Sequence, residues 1–318
     1  MLAFIIALAE IIGGFVLLIY GASTLIKGAS SVAKKAGLSN LFIGLTIVAF
    51  GTSLPELMAN IFATIRGNFD IAIGEIIGSN ISNVLLVLGI SALIFPLVVH
   101  KSTVQKEIPY NLLALFVLFI LANDALIEVG PSSFLSRADG IIMIVLFGVF
   151  IYSVFINAKV AGSSEDIKIK QYSYPISMAL IAAGIVTLAI GGHWAVKGAV
   201  SVAGLLGVSE ALIGLTVVAL GTSLPELVTS AMAAHKKNSD IAIGNIIGSN
   251  VFNILWVLGL SATIRSLEFS VMLNYDILIF GAVMAILLAF MFVGKRNILQ
   301  RWQGTTTVSY THLTLPTN

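Results

Sequence analysis

Glu56 and Glu226 each close a hexapeptide that the chain carries twice, Gly51-Thr52-Ser53-Leu54-Pro55-Glu56 and Gly221-Thr222-Ser223-Leu224-Pro225-Glu226, and each lies inside a long apolar run. A carboxylate in such a run is costly in a membrane, so it needs a partner or a role. No Lys or Arg falls at similar depth in any apolar run. Two buried acids without a protein cation call for a bound cation or for protons. The proline of each motif lacks an N–H and clashes with the carbonyl four residues back, so the helix bends and backbone oxygens are released. Thr52, Ser53, Thr222 and Ser223 place hydroxyls beside them. A capping box, Ser-x-x-Glu, restarting the helix after the break is the local alternative. It does not explain an acid at mid-run in both copies.

A second polar stripe follows each motif. Ser79 and Asn83 are four residues apart and share a helix face with Glu75, one turn earlier. Their counterparts are Ser249, Asn253 and Asn245. Glycines 74, 78, 244 and 248 read as close-packing positions, whereas Asn83 and Asn253 read as oxygen ligands or hydrogen-bond partners of the glutamates. Carboxylate, hydroxyl, amide and backbone carbonyl are hard oxygen donors, suited to Ca²⁺, Na⁺ or Mg²⁺ and poor for Zn²⁺ or copper. Two carboxylates balance one Ca²⁺, or the Na⁺ or H⁺ that competes with it, and that competition couples the fluxes. With no cysteine, disulfides and thiolate metal sites are excluded. No cofactor is expected beyond the transported ions.

The elements that must hold these residues are membrane helices. The chain is 58% hydrophobic and 10% charged, with a mean hydropathy of +1.04, far from the roughly 25% charge of a soluble domain. Runs long enough to cross a bilayer, about 20 residues, recur near 3–26, 40–64, 71–95, 108–127, 137–158, 175–196, 210–235, 241–264 and 272–293. The first has no basic region before it, so it reads as a retained helix rather than a signal peptide. Placing the N-terminus outside puts 13 of the 17 basic residues in inside loops and 4 in outside loops, as the positive-inside rule requires. The expected location is the plasma (cell inner) membrane, multi-pass, with lipid as the surrounding partner. These charges serve orientation, and no nucleic-acid partner is inferred from them.

The chain is also a duplication. Residues 44–68 match 214–238 at 14 of 25 positions, and 70–92 match 240–262 at 17 of 23, both at an offset of 170. Five spans, an odd number, separate the motifs, so the second copy is inverted relative to the first. Inverted repeats place the substrate site near the midplane, on interrupted helices. The expected fold is an all-α polytopic membrane protein of two inverted repeats of five helices, with the tenth helix missing or replaced at the C-terminus. The first repeat is 1–158, a short cytoplasmic linker is 159–174, and the second repeat is 175–304.

With its paired GTSLPE and IG-GSN-x-x-N motifs, the chain resembles the sodium/calcium exchangers of the Ca²⁺/cation antiporter superfamily over nearly all of residues 1–304. The resemblance implies ten helices and four central ion sites. It implies Glu56 and Glu226 bridging calcium and sodium sites, with oxygens from Thr52, Ser53, Thr222 and Ser223. It adds the carbonyls of Ala49 and Ala219, with Ser79 and Ser249, at sodium sites, and access switched by sliding of the first and sixth helices. Family members often carry an Asp at one of the positions of Asn83 and Asn253, where this chain has Asn at both. Conversely, Glu75 stands where the family usually has Asn, and is expected toward the outer mouth, attracting cations. The implied activity is exchange of Ca²⁺ for Na⁺. Ca²⁺/H⁺ exchange is the alternative, since buried carboxylates bind protons as readily as sodium, and a cation channel is the rival from another class. Enzymatic function is not expected: no His lies near the Ser and Glu, and no HExxH occurs.

Glu10, Asp124, Asp139 and Asp276 read as acids near span ends, and His193 as a span terminus without a metal role. Arg301-Trp302-Gln303-Gly304 matches the entry to the fifth span at Arg137-Ala138-Asp139-Gly140. A tenth helix should follow, but 305–318 is too short and polar to span. It reads as a non-native tail, a truncated or chimeric end, with a genuine nine-helix protein as the alternative.

Overall fold

The computed structural model describes residues 2–123, 133–158, 171–206 and 219–314. In chain order the helices are α1 (Leu2–Ala36), α2 (Asn40–Thr52), α3 (Leu54–Arg66), α4 (Phe69–Ile94), α5 (Thr103–Leu121), α6 (Arg137–Ala158) and α7 (Tyr174–Leu205). There follow α8 (Ala219–Thr222), α9 (Leu224–His235), α10 (Ser239–Ile264), α11 (Leu273–Phe290) and α12 (Arg301–Thr314). Among the described residues, seven helices are long and apolar enough to cross a membrane, and α2 with α3, bent by 47° at their junction, makes an eighth. The seventh expected span, 210–235, begins outside the described residues, and α8 and α9 are its described part.

Burial sorts these helices. In the most apolar stretch, 94% of α10 and 78% of α4 is buried, against 17% of α1 and 22% of α6. α4 and α10 therefore form the centre, and α1 and α6 present their apolar residues, among them Phe4, Ile12, Val16 and Val145, outward. In lipid that exposure has no cost, whereas an unsatisfied backbone group would.

α1 and α7 run antiparallel along a shared glycine seam. A Cβ on Gly21 would stand 2.9 Å from the Leu188 nitrogen, and one on Gly191 2.8 Å from the Leu18 nitrogen, so only glycine permits this approach. Likewise Gly244 and Gly248 of α10 lie against the backbone of Leu41 and Leu45, which accounts for both as packing positions. Two short strand pairs join the halves. Strand β1 (Leu97–Val98), after α4, pairs with β4 (Ile298–Leu299), before α12. At the opposite end β2 (Ser133–Leu135), before α6, pairs with β3 (Leu267–Phe269), after α10.

Residues up to Thr314 continue as the helix α12. Gly304 packs so closely on α4 that a Cβ would sit 2.6 Å from the Gly89 carbonyl oxygen. Gln303 donates to the carbonyls of Phe290 (3.0 Å) and Val293 (3.1 Å) and accepts from the Gln300 N–H (2.7 Å). The threonine hydroxyls bond back to the preceding turn, Thr305 donating to the Arg301 carbonyl and Thr306 to that of Trp302.

Candidate functional site

The site is built on the two helix breaks. At the first, Ser53 has φ −86° and ψ 10°, its N–H still reaches the Ala49 carbonyl (3.0 Å), and helical bonding resumes from the Leu57 N–H to the Ser53 carbonyl (3.1 Å). Pro55 sits in the first turn of α3, where its missing N–H is tolerated, and deprives the Gly51 carbonyl of its helical donor. The second break repeats this at Ser223, with φ −82° and ψ 2° and Leu227 bonding back at 3.0 Å.

Glu56 and Glu226 follow within one turn, and both are 0% exposed. The serines reach across the halves rather than capping locally. The Ser53 hydroxyl donates to Glu226 Oε1 at 2.8 Å, and Ser249 approaches the same oxygen at 3.5 Å. Ser79 approaches Glu56 Oε1 at 3.5 Å and pairs with the Ser223 hydroxyl at 2.9 Å. Neither Ser53 nor Ser223 makes a side-chain cap bond, so the capping-box alternative is set aside. Thr52 lies between the Ala49 carbonyl (3.3 Å) and Asn245 Oδ1 (3.0 Å). The single Thr52 proton goes to the nearer Asn245 Oδ1, which leaves the Ala49 carbonyl with the Ser53 N–H, and Ala219 holds the matching backbone position at the start of α8.

Asn83 and Asn253 come to the same centre, but their amide nitrogens do not serve the glutamates. Asn83 donates to Asn250 Oδ1 (3.0 Å) and Asn253 to Asn80 Oδ1 (3.1 Å), while Asn80 donates to the Asn250 carbonyl (3.1 Å). These bonds tie α4 to α10 and leave the oxygens of Asn83 and Asn253 facing no donor. Each asparagine opens a π-helical stretch or lies within its first turn, Asn83–Val87 and Phe252–Leu258, an irregularity frequent at functional sites.

Glu56 Oε2, Glu226 Oε2, Asn83 Oδ1 and Asn253 Oδ1 are thus among the buried oxygens with no donor. Among the described residues the close base–carboxylate contacts are Lys197–Glu10 (2.6 Å) and the His100 Nε2–Asp240 contact (2.9 Å), neither involving these glutamates. Buried acceptors without donors are expensive unless a cation satisfies them. Two carboxylates, two amide oxygens and the surrounding hydroxyls are such a donor set for a hard cation.

Glu75 lies one turn from Ser79 on α4. Asn60 Nδ2 approaches its Oε2 at 3.5 Å, and the Thr222 side chain is within hydrogen-bonding reach of the carboxylate. It therefore faces the interior of the bundle across to the second half. Sequence reasoning overlooked the braces. Asn80 and Asn250 were marked only by their recurrence at offset 170, and Asn60 and Ser230 by nothing, since they differ between copies. Of the peripheral residues, Glu10 is held by Lys197, Asp139 accepts from the N–H (2.8 Å) and hydroxyl (2.6 Å) of Ser136, and His193 is exposed. Asp124 lies outside the described residues.

A family profile described as sodium/calcium exchanger protein matches residues 6–156 and 176–310. The chain is 30% identical over 337 residues to the sodium/calcium exchanger MaX1 of Methanosarcina acetivorans, covering 92% of each. It is 34% identical over 293 residues to the inner membrane protein YrbG of Escherichia coli, covering 86% of this chain and 87% of that one. Among solved structures, the sodium-calcium exchanger NCX_Mj superposes with a TM-score of 0.82 at 30% identity, covering 98% of both chains.

Proposed function

The chain belongs to the sodium/calcium exchanger protein family, and from that premise we propose that it exchanges Ca²⁺ for Na⁺ by alternating access through the site between the two helix breaks. It is a multi-pass membrane antiporter of the cation/Ca²⁺ class, and its family transports rather than catalyses. The observation that carries the finer reading is the set of four donor-less oxygens on Glu56, Glu226, Asn83 and Asn253, buried with no protein cation paired to either glutamate.

Glu56 and Glu226 are the shared ligands, so that Ca²⁺ and Na⁺ exclude each other there. Thr52, Ser53, Thr222 and Ser223 supply hydroxyl or carbonyl oxygens, and Ser79 and Ser249, with the carbonyls of Ala49 and Ala219, complete flanking sodium positions. Asn83 and Asn253 present amide oxygens that Asn80 and Asn250 hold in place. Residues 1–158 and 175–304 act as two inverted copies joined by 159–174. The antiparallel pair α1 and α7, packed on a glycine seam of little side-chain interlock, slides over the rest to switch access. The N-terminus faces outward in the cell inner membrane, in keeping with the 13-to-4 split of basic residues. Na⁺ as counter-ion agrees with what the names of MaX1 and NCX_Mj say of those proteins.

The test is Ca²⁺ uptake into proteoliposomes under an outward sodium gradient, compared with an outward proton gradient at clamped voltage. Uptake driven by sodium alone is expected. Uptake driven only by protons makes the protein a Ca²⁺/H⁺ exchanger, and uptake with no counter-ion dependence makes it a channel.

A further inference from the structure

Two residues of opposite charge share a cavity without meeting. At the end of the molecule where α1 finishes in Lys34 and Lys35, α2, α5 and α6 enclose a cavity of ≈250 Å³. Lys106 and Glu107 both line it, yet among the described residues neither forms an ion pair. Glu107 is only 4% exposed, and its Oε2 has no hydrogen-bond partner. Its polar neighbours are Thr103, one turn earlier, and the bases Lys106 and His100. The exposed Lys106 directs one of its three N–H donors to Asn157 Oδ1 on α6 (2.7 Å), which leaves two for another acceptor. Ser39 and Ser102 add hydroxyls to the same wall. That of Ser39 accepts from the Phe42 N–H (3.1 Å) and keeps its own proton to donate. The cavity therefore offers donors to an anion at its rim and a buried acceptor to a cation inside.

The rest of its wall is apolar and continues toward the membrane centre. Leu41, Phe42, Leu45 and Val154 line it, and at Leu45 it adjoins a second cavity of ≈340 Å³. Phe50, Phe147, Ile151 and Ile185 wall that second space between α2, α6 and α7. Phe50 is exposed, so the second space opens sideways to lipid. From Ser39 to Phe50 the chain rises about 16 Å at 1.5 Å per residue. That is about half of a 30 Å hydrocarbon core, the depth of one leaflet.

We propose that this groove holds one phospholipid with an ethanolamine headgroup, its ammonium at Glu107, its phosphate at Lys106 and Ser102, and one acyl chain along α2. The ammonium brings N–H donors to a carboxylate oxygen that has none, and the phosphate brings acceptors to the remaining Lys106 donors. Other headgroups match less well. A choline nitrogen has no N–H for Glu107, and a glycerol headgroup brings no positive charge to it. A bare metal ion would be repelled by Lys106. So placed, the lipid braces α2, the helix that ends at the first break, against α5 and α6.

Native mass spectrometry of the full-length, detergent-solubilised protein tests this, with dioleoyl phosphatidylethanolamine, phosphatidylcholine and phosphatidylglycerol titrated in turn. One ethanolamine lipid should bind saturably, about tenfold or more tighter than either of the others, the factor that a hydrogen bond to a charged group carries. Glu107→Gln should remove that preference. Lys106→Gln should weaken the ethanolamine and choline lipids alike, because both carry the phosphate. Ile151→Trp, which fills the second cavity, should weaken all three. Equal affinity for the three lipids in the wild type overturns the proposal, as does an ethanolamine preference that survives in Glu107→Gln. If Glu107→Gln does not fold, the wild type titrated with N-methylated ethanolamine lipids decides, beside Ile151→Trp. Affinity that falls as each N–H is lost supports the site, and a flat series, or an Ile151→Trp protein that binds as the wild type does, refutes it.

Discussion

Replacing Asn80 by alanine tests whether the asparagine cross-brace builds the site. Asn80 donates to the Asn250 carbonyl and accepts from Asn253 Nδ2, both at 3.1 Å and fully buried. The alanine leaves two buried groups without partners, each costing about 1–3 kcal/mol, or about 2–6 kcal/mol together. Asn250→Ala is the internal control. It removes only the oxygen that accepts from Asn83 Nδ2 at 3.0 Å, since the backbone carbonyl stays for Asn80, so it costs about 1–3 kcal/mol. With about 2.1 cal/mol/K of unfolding entropy per residue over 318 residues, or about 0.7 kcal/mol/K, the melting temperature should fall about 3–9 °C for Asn80→Ala and about half as much for Asn250→Ala. Thermal unfolding of the detergent-solubilised protein reads the shifts, and Ca²⁺ titration of the same samples reads the site. Calcium affinity should drop in both, because the amide oxygens of Asn253 and Asn83 lose the bonds that aim them. Equal shifts in the two variants, or a destabilised Asn80→Ala with unchanged calcium affinity, would refute the reasoning.

Other consequences are as direct. Adding Ca²⁺ at about 100 times its Kd should stabilise the protein by about 2.7 kcal/mol, raising the melting temperature by about 4 °C; the rise should vanish in Glu226→Gln. Gly191→Ala places a Cβ 2.8 Å from the Leu18 nitrogen and should cost about 1–3 kcal/mol by overpacking, seen as a lower melting temperature. Gln303→Ala leaves the Phe290 and Val293 carbonyls without their side-chain donor and should lower stability by about 1–3 kcal/mol. No change there would mean that α12 contributes little to the fold.

Much of this architecture was legible because a membrane restricts the choices. Apolar runs had to be helices, and a proline beside Ser53 and Ser223 had to break them. The offset of 170 located Glu56, Glu226, Ser79, Ser249, Asn83 and Asn253 in one step, since identity between copies marks what both need. What escaped was directional. Spacing put Asn83 on the right face but not its nitrogen on Asn250, because a hydrogen bond across helices depends on their crossing and not on one chain's period. Asn60 and Ser230 escaped because they differ between copies, and their meaning appears only once Glu75 and Asn245 are seen beside them. The helix entry at Arg301 was read from its match to Arg137; that the helix runs on to Thr314 escaped because polarity was weighed without the packing of Gly304 on Gly89.

The central claim is that Glu56 and Glu226 jointly hold the transported calcium. Equilibrium ⁴⁵Ca²⁺ binding to the purified, folded protein measures it most directly, in the wild type and in the single variants Glu56→Gln and Glu226→Gln. Saturable binding to the wild type and a loss of at least about a hundredfold in affinity in each variant are predicted, since a full charge at about 2.4 Å is worth several kcal/mol even in water. Wild-type affinity in either variant, with the protein still folded, would contradict the account.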